Sequence, residues 1–289
     1  MAADLGRGHG VVVAVATALP ATCRSGVPRS RLAWAWWLVP GAVVGWLAAG
    51  PDGFGHRAHL LLGGLCAQAP GHTFVLGGQS LPFDARMTGI YLGALIGLVA
   101  LAVSGRTRAA RPPGFVTWGV LAAMVGALGI DGTNSLLVDL GLWHPYAPSN
   151  GLRVTTGAMA GVALAVTIGY LLAETVWARG AMAPFRLVST REVAGLTAVA
   201  LPLAALVPLA PGWAFVPICA LLIAGSTVTV GGLVLVSGLI ATGREGTFGS
   251  ARQLRPWWGS VATGAMTAIV ALAVIRVVAE TLLGPANYQ

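Results

Sequence analysis

Apolar runs of about 17 to 28 residues recur seven times along the chain, over 32–50, 87–104, 114–130, 152–173, 193–210, 213–240 and 259–283. None shows the two-residue alternation of a half-buried strand. A bilayer hydrocarbon core of about 30 Å needs roughly 20 residues at a helical rise of about 1.5 Å. A backbone that crosses lipid must satisfy its own hydrogen bonds, which leaves helices or closed barrels. Runs of this length select helices. The expected fold class is all-α: a polytopic membrane protein, built as a bundle of about seven transmembrane helices.

Composition strengthens this reading. Hydrophobic residues make up 56% of the 289 positions and charged residues only 9%, with a mean hydropathy of +0.80. A soluble domain carries about 25% charged residues, so this chain cannot cover a water-facing surface. The net charge of +8 points to orientation rather than to nucleic acid, because all 17 basic residues are Arg and most lie in short connections. Arg24, Arg29 and Arg31 precede the first run, and Arg106, Arg108 and Arg111 follow the second. Arg179, Arg186 and Arg191 follow the fourth, and Arg244, Arg252 and Arg255 follow the sixth. These clusters fall on alternate connections, as the positive-inside rule requires. The expectation is N-in and C-out, in the plasma membrane of a bacterium, since the wealth of Ala, Gly and Arg fits a GC-rich genome.

The organisation expected is a cytoplasmic tail over 1–31, a four-helix membrane region over 32–175 with outer loops, and a three-helix membrane region over 176–289. Gly10 to Thr22 has the apolar length of a signal-peptide core, but cleavage there would leave Arg24, Arg29 and Arg31 outside, against the charge rule. The three cysteines, Cys23, Cys66 and Cys219, fall inside, outside and within a helix, so none is expected to pair within the chain. Glycines recur every four positions at Gly41/Gly45, Gly89/Gly93/Gly97 and Gly157/Gly161. Such ladders let helix backbones approach closely, so the first, second and fourth spans are expected to form a compact bundle.

The unusual polar residues gather on the outer side. The connection 51–86 holds His56, His59, Cys66, Gln68, His72, Asp84 and Arg86, and its segment 58–68 is apolar enough to lie in the interface or re-enter the protein. The next outer connection is expected to begin at Asp131-Gly132-Thr133-Asn134 and to end before Arg153, which opens the fourth span. Arg276 and Glu280 share a helix face near the outer end of the last span. Ionisable residues at membrane depth usually face a cavity or one another.

Two stretches resemble a known family. Cys66-Ala67-Gln68, followed by the run from Leu81 through Gly93 (Leu-Pro-Phe-Asp-Ala-Arg-Met-Thr-Gly-Ile-Tyr-Leu-Gly), is similar to the signature of the domain of unknown function 2085 family of prokaryotic membrane proteins. Asp131-Gly132 and the run from Asn150 to Gly157, with Arg153 and Thr156, continue the likeness over about residues 60–165. The family pattern carries Cys-His-Gln and Cys-x-x-Cys. Ala67 stands here at the His, and Asp84 and Met87 stand at the two later Cys. The resemblance implies a thiol or metal site in the family, of which this divergent chain keeps one thiol. Intramolecular thiol–disulfide exchange is therefore not expected at that place.

Two readings of the polar residues stay open. One is an ion-pair cluster that fixes the helices. The other is a polar pocket at the outer ends of the second, third and fourth spans. In it Gln68, Arg86, Thr88, Tyr91, Asn134 and Arg153 would bind a lipid or small polar ligand, the arginines taking phosphate or carboxylate, and Asp131 or Asp84 would serve as acid or base. A membrane enzyme acting on a lipid or lipid-linked substrate is the leading function. A non-catalytic subunit or assembly factor, a transporter, and a metal-handling protein using Cys66, His56, His59 and His72 are the alternatives. The sequence names no cofactor, and its partners beyond the bilayer stay open.

Overall fold

The computed structural model describes residues 33–284. The tail expected over 1–31, with its Arg24, Arg29, Arg31 and Cys23, lies outside them. A 3₁₀ turn at Ala33–Trp37 leads into α1 (Leu38–Ala49), followed by the short α2 (Gly53–Leu62). An antiparallel hairpin of β1 (Thr73–Leu76) and β2 (Gln79–Asp84) precedes α3 (Ala85–Val103). After the three-residue β3 (Ala109–Arg111) come α4 (Phe115–Asp139) and α5 (Asn150–Val176). Then follow β4 (Ala183–Arg186), α6 (Thr190–Leu206), α7 (Phe215–Ala241), the single-turn α8 (Ala251–Leu254) and α9 (Trp258–Leu283).

Among the described residues six helices are long and apolar enough to cross a membrane: α3, α4, α5, α6, α7 and α9, the last counted with α8. Their positions coincide with six of the seven apolar runs. The first run forms an apolar helix of 16 residues, Trp34–Ala49. At about 1.5 Å per residue it reaches about 24 Å, short of a bilayer core of about 30 Å.

The centre of the fold is α5, 67% buried in its most apolar window, against 22% for each of α4, α6 and α9. Its closest neighbour is α3. A Cβ on Gly157 would run into the carbonyl oxygen of Arg86, and one on Gly161 into that of Ile90. On the facing helix, a Cβ on Gly89 would strike the carbonyl of Val154, and one on Gly93 that of Ala158. The two glycine ladders therefore interlock backbone to backbone, which is how helices gain dispersion energy where lipid removes the hydrophobic drive. The third ladder behaves differently. Gly41 and Gly45 have no described atom within 4 Å of an added Cβ, and α1 packs on α2 and α9 instead. The expectation that the first span joins the second and fourth is corrected: equal spacing does not make equal packing.

Local chemistry sets the element boundaries. Gly77 and Gly78, at φ +55° and +81°, form the two-residue turn that pairs Leu76 with Gln79. Asp84 caps α3, its carboxylate accepting from the Met87 N–H at 2.7 Å. Ser149 caps α5 by accepting from Leu152 N–H at 3.2 Å. Ser189 and Glu192 form a reciprocal capping box on α6.

The connections sort to two ends of the bundle. At the arginine-rich end β3 and β4 pair in parallel, and Trp177 bridges Phe248. There the Arg108 guanidinium lies 4.3 Å from the Trp177 ring centroid, and Arg106 donates to Glu192. At the opposite, cap end, α2, the β1–β2 hairpin and the loop 140–149 cover the helices. The stretch 58–68 packs into the protein: Ala58, Leu61, Leu62 and Cys66 are buried, and α2 lies against α7, α9 and β2.

Gly161→Leu is expected to lower the thermal unfolding midpoint sharply or to prevent recovery of monodisperse protein, an overpacking cost of at least about 1–3 kcal/mol. Gly45→Leu is expected to change it little. Size-exclusion profiles and unfolding curves in detergent compare the two; similar losses would contradict the interlock.

Candidate functional site

Arg86, in the first turn of α3, reaches across to α4. Its Nη2 lies 2.6 Å from Asp131 Oδ2 and donates also to the Asp131 carbonyl at 3.3 Å and Ser135 Oγ at 3.0 Å. Asp131 is 1% exposed and the Arg86 side chain 23%, so the ion pair is buried on the carboxylate side and half-buried on the other. Tyr146, from the loop 140–149, donates its hydroxyl to Asp131 Oδ1 at 3.3 Å, and Asn134 Nδ2 donates to the Tyr146 carbonyl at 2.9 Å. Nearness to Asp131, after partial burial, pushes the Tyr146 phenol above its ordinary range. Asp131 and Asn134 do not open a connection, as their Asp-Gly-Thr-Asn sequence suggests. They lie inside α4, which runs on to Asp139. Their side chains bond to α3 and to the loop rather than to their own backbone, so the turn-forming tendency of these residues is overridden.

Arg153, in the first turn of α5, is 5% exposed. Its Nη1 donates to Asn150 Oδ1 at 2.8 Å and its Nη2 to His72 Nε2 at 3.2 Å. His72 ends the 3₁₀ turn Pro70–His72 before β1, and Asn150 Nδ2 donates to the neighbouring Gly71 carbonyl at 3.3 Å. Asp139, at the end of α4, stands 4.0 Å from the same His72 nitrogen. Burial and then the Arg153 charge hold the His72 pKa below the usual imidazole value, against the opposing pull of Asp139. The charges of Arg86, Asp131, Asp139 and Asp84 all act on Arg153, so the arginines of α3 and α5 share one field.

Gln68 and Asp84 belong to a different cluster. Gln68, at φ +57°, donates its Nε2 to the carbonyls of His59 at 3.0 Å and Pro82 at 2.8 Å. Cys66 Sγ accepts from the backbone N–H of Gln68 at 3.3 Å and of Asp84 at 3.5 Å. Burial, then the nearby Asp84 carboxylate, pushes the Cys66 thiol up to about 11. Asp84 is thereby a half-buried helix cap beside a thiol. Thr88 is buried and donates to the Phe83 carbonyl at 3.4 Å, and Tyr91 stacks on Phe83 with centroids 4.8 Å apart. Those two pack the core rather than line a pocket.

The metal candidates do not converge. His56 and His59 line a cavity of about 430 Å³ with Asp52, Gln79 and Phe215. Cys66 faces Gln68 and Asp84, and His72 faces Arg153. Among the described residues no three His, Cys, Asp or Glu side chains gather as ligands. His59 Nδ1 contacts the Gly55 carbonyl at 3.2 Å, and burial lowers its pKa.

Two arginines carry more of the cap than sequence reasoning gave them. Arg276 of α9 donates Nη1 to the Gly63 and Cys66 carbonyls at 2.8 and 2.6 Å and to Gln68 Oε1 at 2.9 Å. It also pairs with Glu280 at 2.7 Å, the partner its i,i+4 spacing indicates. Arg57, buried in α2, donates to the carbonyls of Leu47, Gly50 and Pro51 that end α1. The signal for both was a guanidinium standing in an otherwise arginine-poor, apolar stretch. Its acceptors are main-chain carbonyls, which no side-chain pattern announces.

Asp131→Leu leaves the half-buried Arg86 charge without its partner and is expected to cost about 1–3 kcal/mol of stability. The pair Arg86→Met with Asp131→Leu is expected to be more stable than Asp131→Leu alone, as read by thermal unfolding in detergent. Additive losses would show that the two side chains do not act on each other.

With its pKa raised, the Cys66 thiol stays protonated at neutral pH, and the reactive thiolate forms only as pH rises towards about 11. In a Cys23→Ser, Cys219→Ser background, native maleimide labelling at neutral pH is expected to be slow and to accelerate with pH. Rapid labelling at neutral pH would contradict the buried geometry.

No curated protein and no solved structure matches the chain. The likeness read from the motifs between Cys66 and Gly157 is matched by a family model: residues 66–167 are similar to the family described as "Predicted membrane protein (DUF2085)".

Proposed function

We propose that the protein is a non-catalytic component of the plasma membrane, a subunit or assembly factor. In this reading its arginine-rich connections face the cytoplasm and its cap faces outward. One observation carries the proposal: the cap-end groups that would do chemistry are bound to other groups of the same chain. Asp131 is held by Arg86 and Tyr146, and Asp84 caps α3. Arg276 and Arg57 hold carbonyls, and the Cys66 thiol is pushed up to about 11. A general acid or base must reach a substrate proton; Asp131 is buried in its ion pair and Asp84 is engaged as the cap of α3, which favours a structural part for both. An enzyme acting on a lipid or lipid-linked substrate is the weaker reading for that reason. A transporter would carry ionisable groups near the midplane, whereas the ion pairs here lie at the helix ends.

A tagged full-length protein, expressed from its own promoter and purified in mild detergent, is expected to bring down a stoichiometric membrane partner. Cells carrying Asp131→Asn, which keeps the side chain's shape, are expected to keep the wild-type lipid profile at equal protein level. A partner-free monomer, together with a lipid change in the Asp131→Asn strain matching that of a deletion, would overturn the proposal in favour of the enzyme.

A further inference from the structure

Arg153 differs from the other cap-end arginines in what faces it. Arg86 and Arg276 each have a carboxylate within 3 Å, and Arg57 has three main-chain carbonyls. Arg153 is nine-tenths buried, yet among the described residues it bonds only to two neutral groups, the Asn150 amide and the His72 ring. Its Nε is buried with no partner, as is that of Arg86 nearby. A buried cation without a bound counter-charge is costly. Arg153 also sits at the N-terminus of the 27-residue α5, where the helix adds positive potential.

The His72 contact shows what is missing. Arginine only donates, so the His72 Nε2 must accept, and the ring is neutral with its proton on Nδ1. Its lone pair sits where an anionic oxygen would sit. We propose that Arg153 is the seat of an oxyanion-binding site, for a phosphate or carboxylate group, which the neutral His72 imidazole closes by standing in for the anion. The charges that face His72 are Arg153 on α5, Arg86 on α3, Asp84 at the end of β2 and Asp139 at the end of α4. Protonation places a hydrogen on Nε2 against the guanidinium, and the cationic ring is then drawn to Asp139, 4.0 Å away. That movement frees Arg153. Because burial and Arg153 lower the His72 pKa, the closed state holds at neutral pH and the site opens as pH falls through and below the ordinary imidazole range. Anion binding and proton uptake therefore favour each other. The site is independent of whether the protein acts as a subunit.

The test uses the full chain in a neutral detergent, with sulfate as the probe because its charge is the same at mildly acidic and mildly alkaline pH. Chloride keeps the ionic strength constant. The expected result is a saturable rise in the unfolding midpoint at about pH 5.5, with an affinity weaker by at least about tenfold at about pH 8. His72→Ala is expected to bind equally at both values, and Arg153→Gln at neither. Should Arg153→Gln fail to fold, His72→Ala still decides. A parallel arm compares nanodiscs of phosphatidylglycerol with nanodiscs of phosphatidylcholine. A shift with phosphatidylglycerol alone assigns the site to a lipid headgroup, and a shift with sulfate assigns it to a free anion. A folded His72→Ala protein that responds to neither overturns the proposal.

Discussion

The backbone contact between α3 and α5 is the constraint on which the rest of the structure depends. Gly89 and Gly93 face the carbonyls of Val154 and Ala158, while Gly157 and Gly161 face those of Arg86 and Ile90. No side chain larger than hydrogen fits at these four places. The contact fixes the relative height of the two helices, and so the height of Arg86 and Arg153 in their first turns. Everything polar at the cap end then has one arrangement available: α4 supplies Asp131 to Arg86, and the hairpin's leading turn supplies His72 to Arg153. α7 joins the same seam through Gly225, where an added Cβ would meet the Tyr91 carbonyl at 2.5 Å.

Much of this was legible in the chain because lipid leaves few choices. Long apolar runs must be helices, and the six long spans appear where the runs are. The arginine clusters 106–111, 179–191 and 244–255 come together at one end, because short connections between neighbouring helices have nowhere else to go. What could not be read was which of several equal signals finds a partner. Gly41/Gly45 and Gly157/Gly161 have the same spacing, and only the second meets another backbone. Asp131-Gly132-Thr133-Asn134 reads as a turn, yet α4 continues through it, because Arg86 and Tyr146 satisfy the side chains from outside the helix. These outcomes depend on residues 45 or more positions away or on a loop, and no local pattern contains them.

The candidate site divides along the same line. Arg86, Asp131, Asn134 and Arg153 do gather, as their shared position near the outer ends of three spans indicates. Gln68 and Asp84 gather around Cys66, whose sulfur accepts from both backbone N–H groups, and Arg276 of α9 reaches Gln68. Thr88 and Tyr91 point into the core, one helical turn below the cap. The polar residues form two clusters with Asp84 between them, beside the Cys66 thiol and acting also on His72 and Arg153. In each cluster a guanidinium ties helices to loops. Arg57 is buried, so the main-chain carbonyls it reaches gain more from it than they would on a soluble surface.

The departures from the family pattern take on physical meaning in this geometry. The resemblance implies thiols at positions 84 and 87 and a histidine at 67, beside the one thiol retained at 66. Cys66 Sγ lies 3.5 Å from the backbone nitrogen of residue 84, and residue 87 donates to the side chain of residue 84 at 2.7 Å. The positions that the pattern reserves for thiols thus meet at one point, where the 63–68 segment touches the start of α3. In this chain that junction is held without a second thiol. Asp84 caps the helix, the sulfur accepts two backbone N–H groups, and Arg276 reaches over from α9 to hold the carbonyls of Gly63 and Cys66. At the place where the pattern gathers thiols, this chain has a network of charge-assisted hydrogen bonds that fastens the cap to the bundle. What such a network keeps is one free thiol, Cys66, which burial holds protonated at neutral pH, in place of the set that the pattern implies.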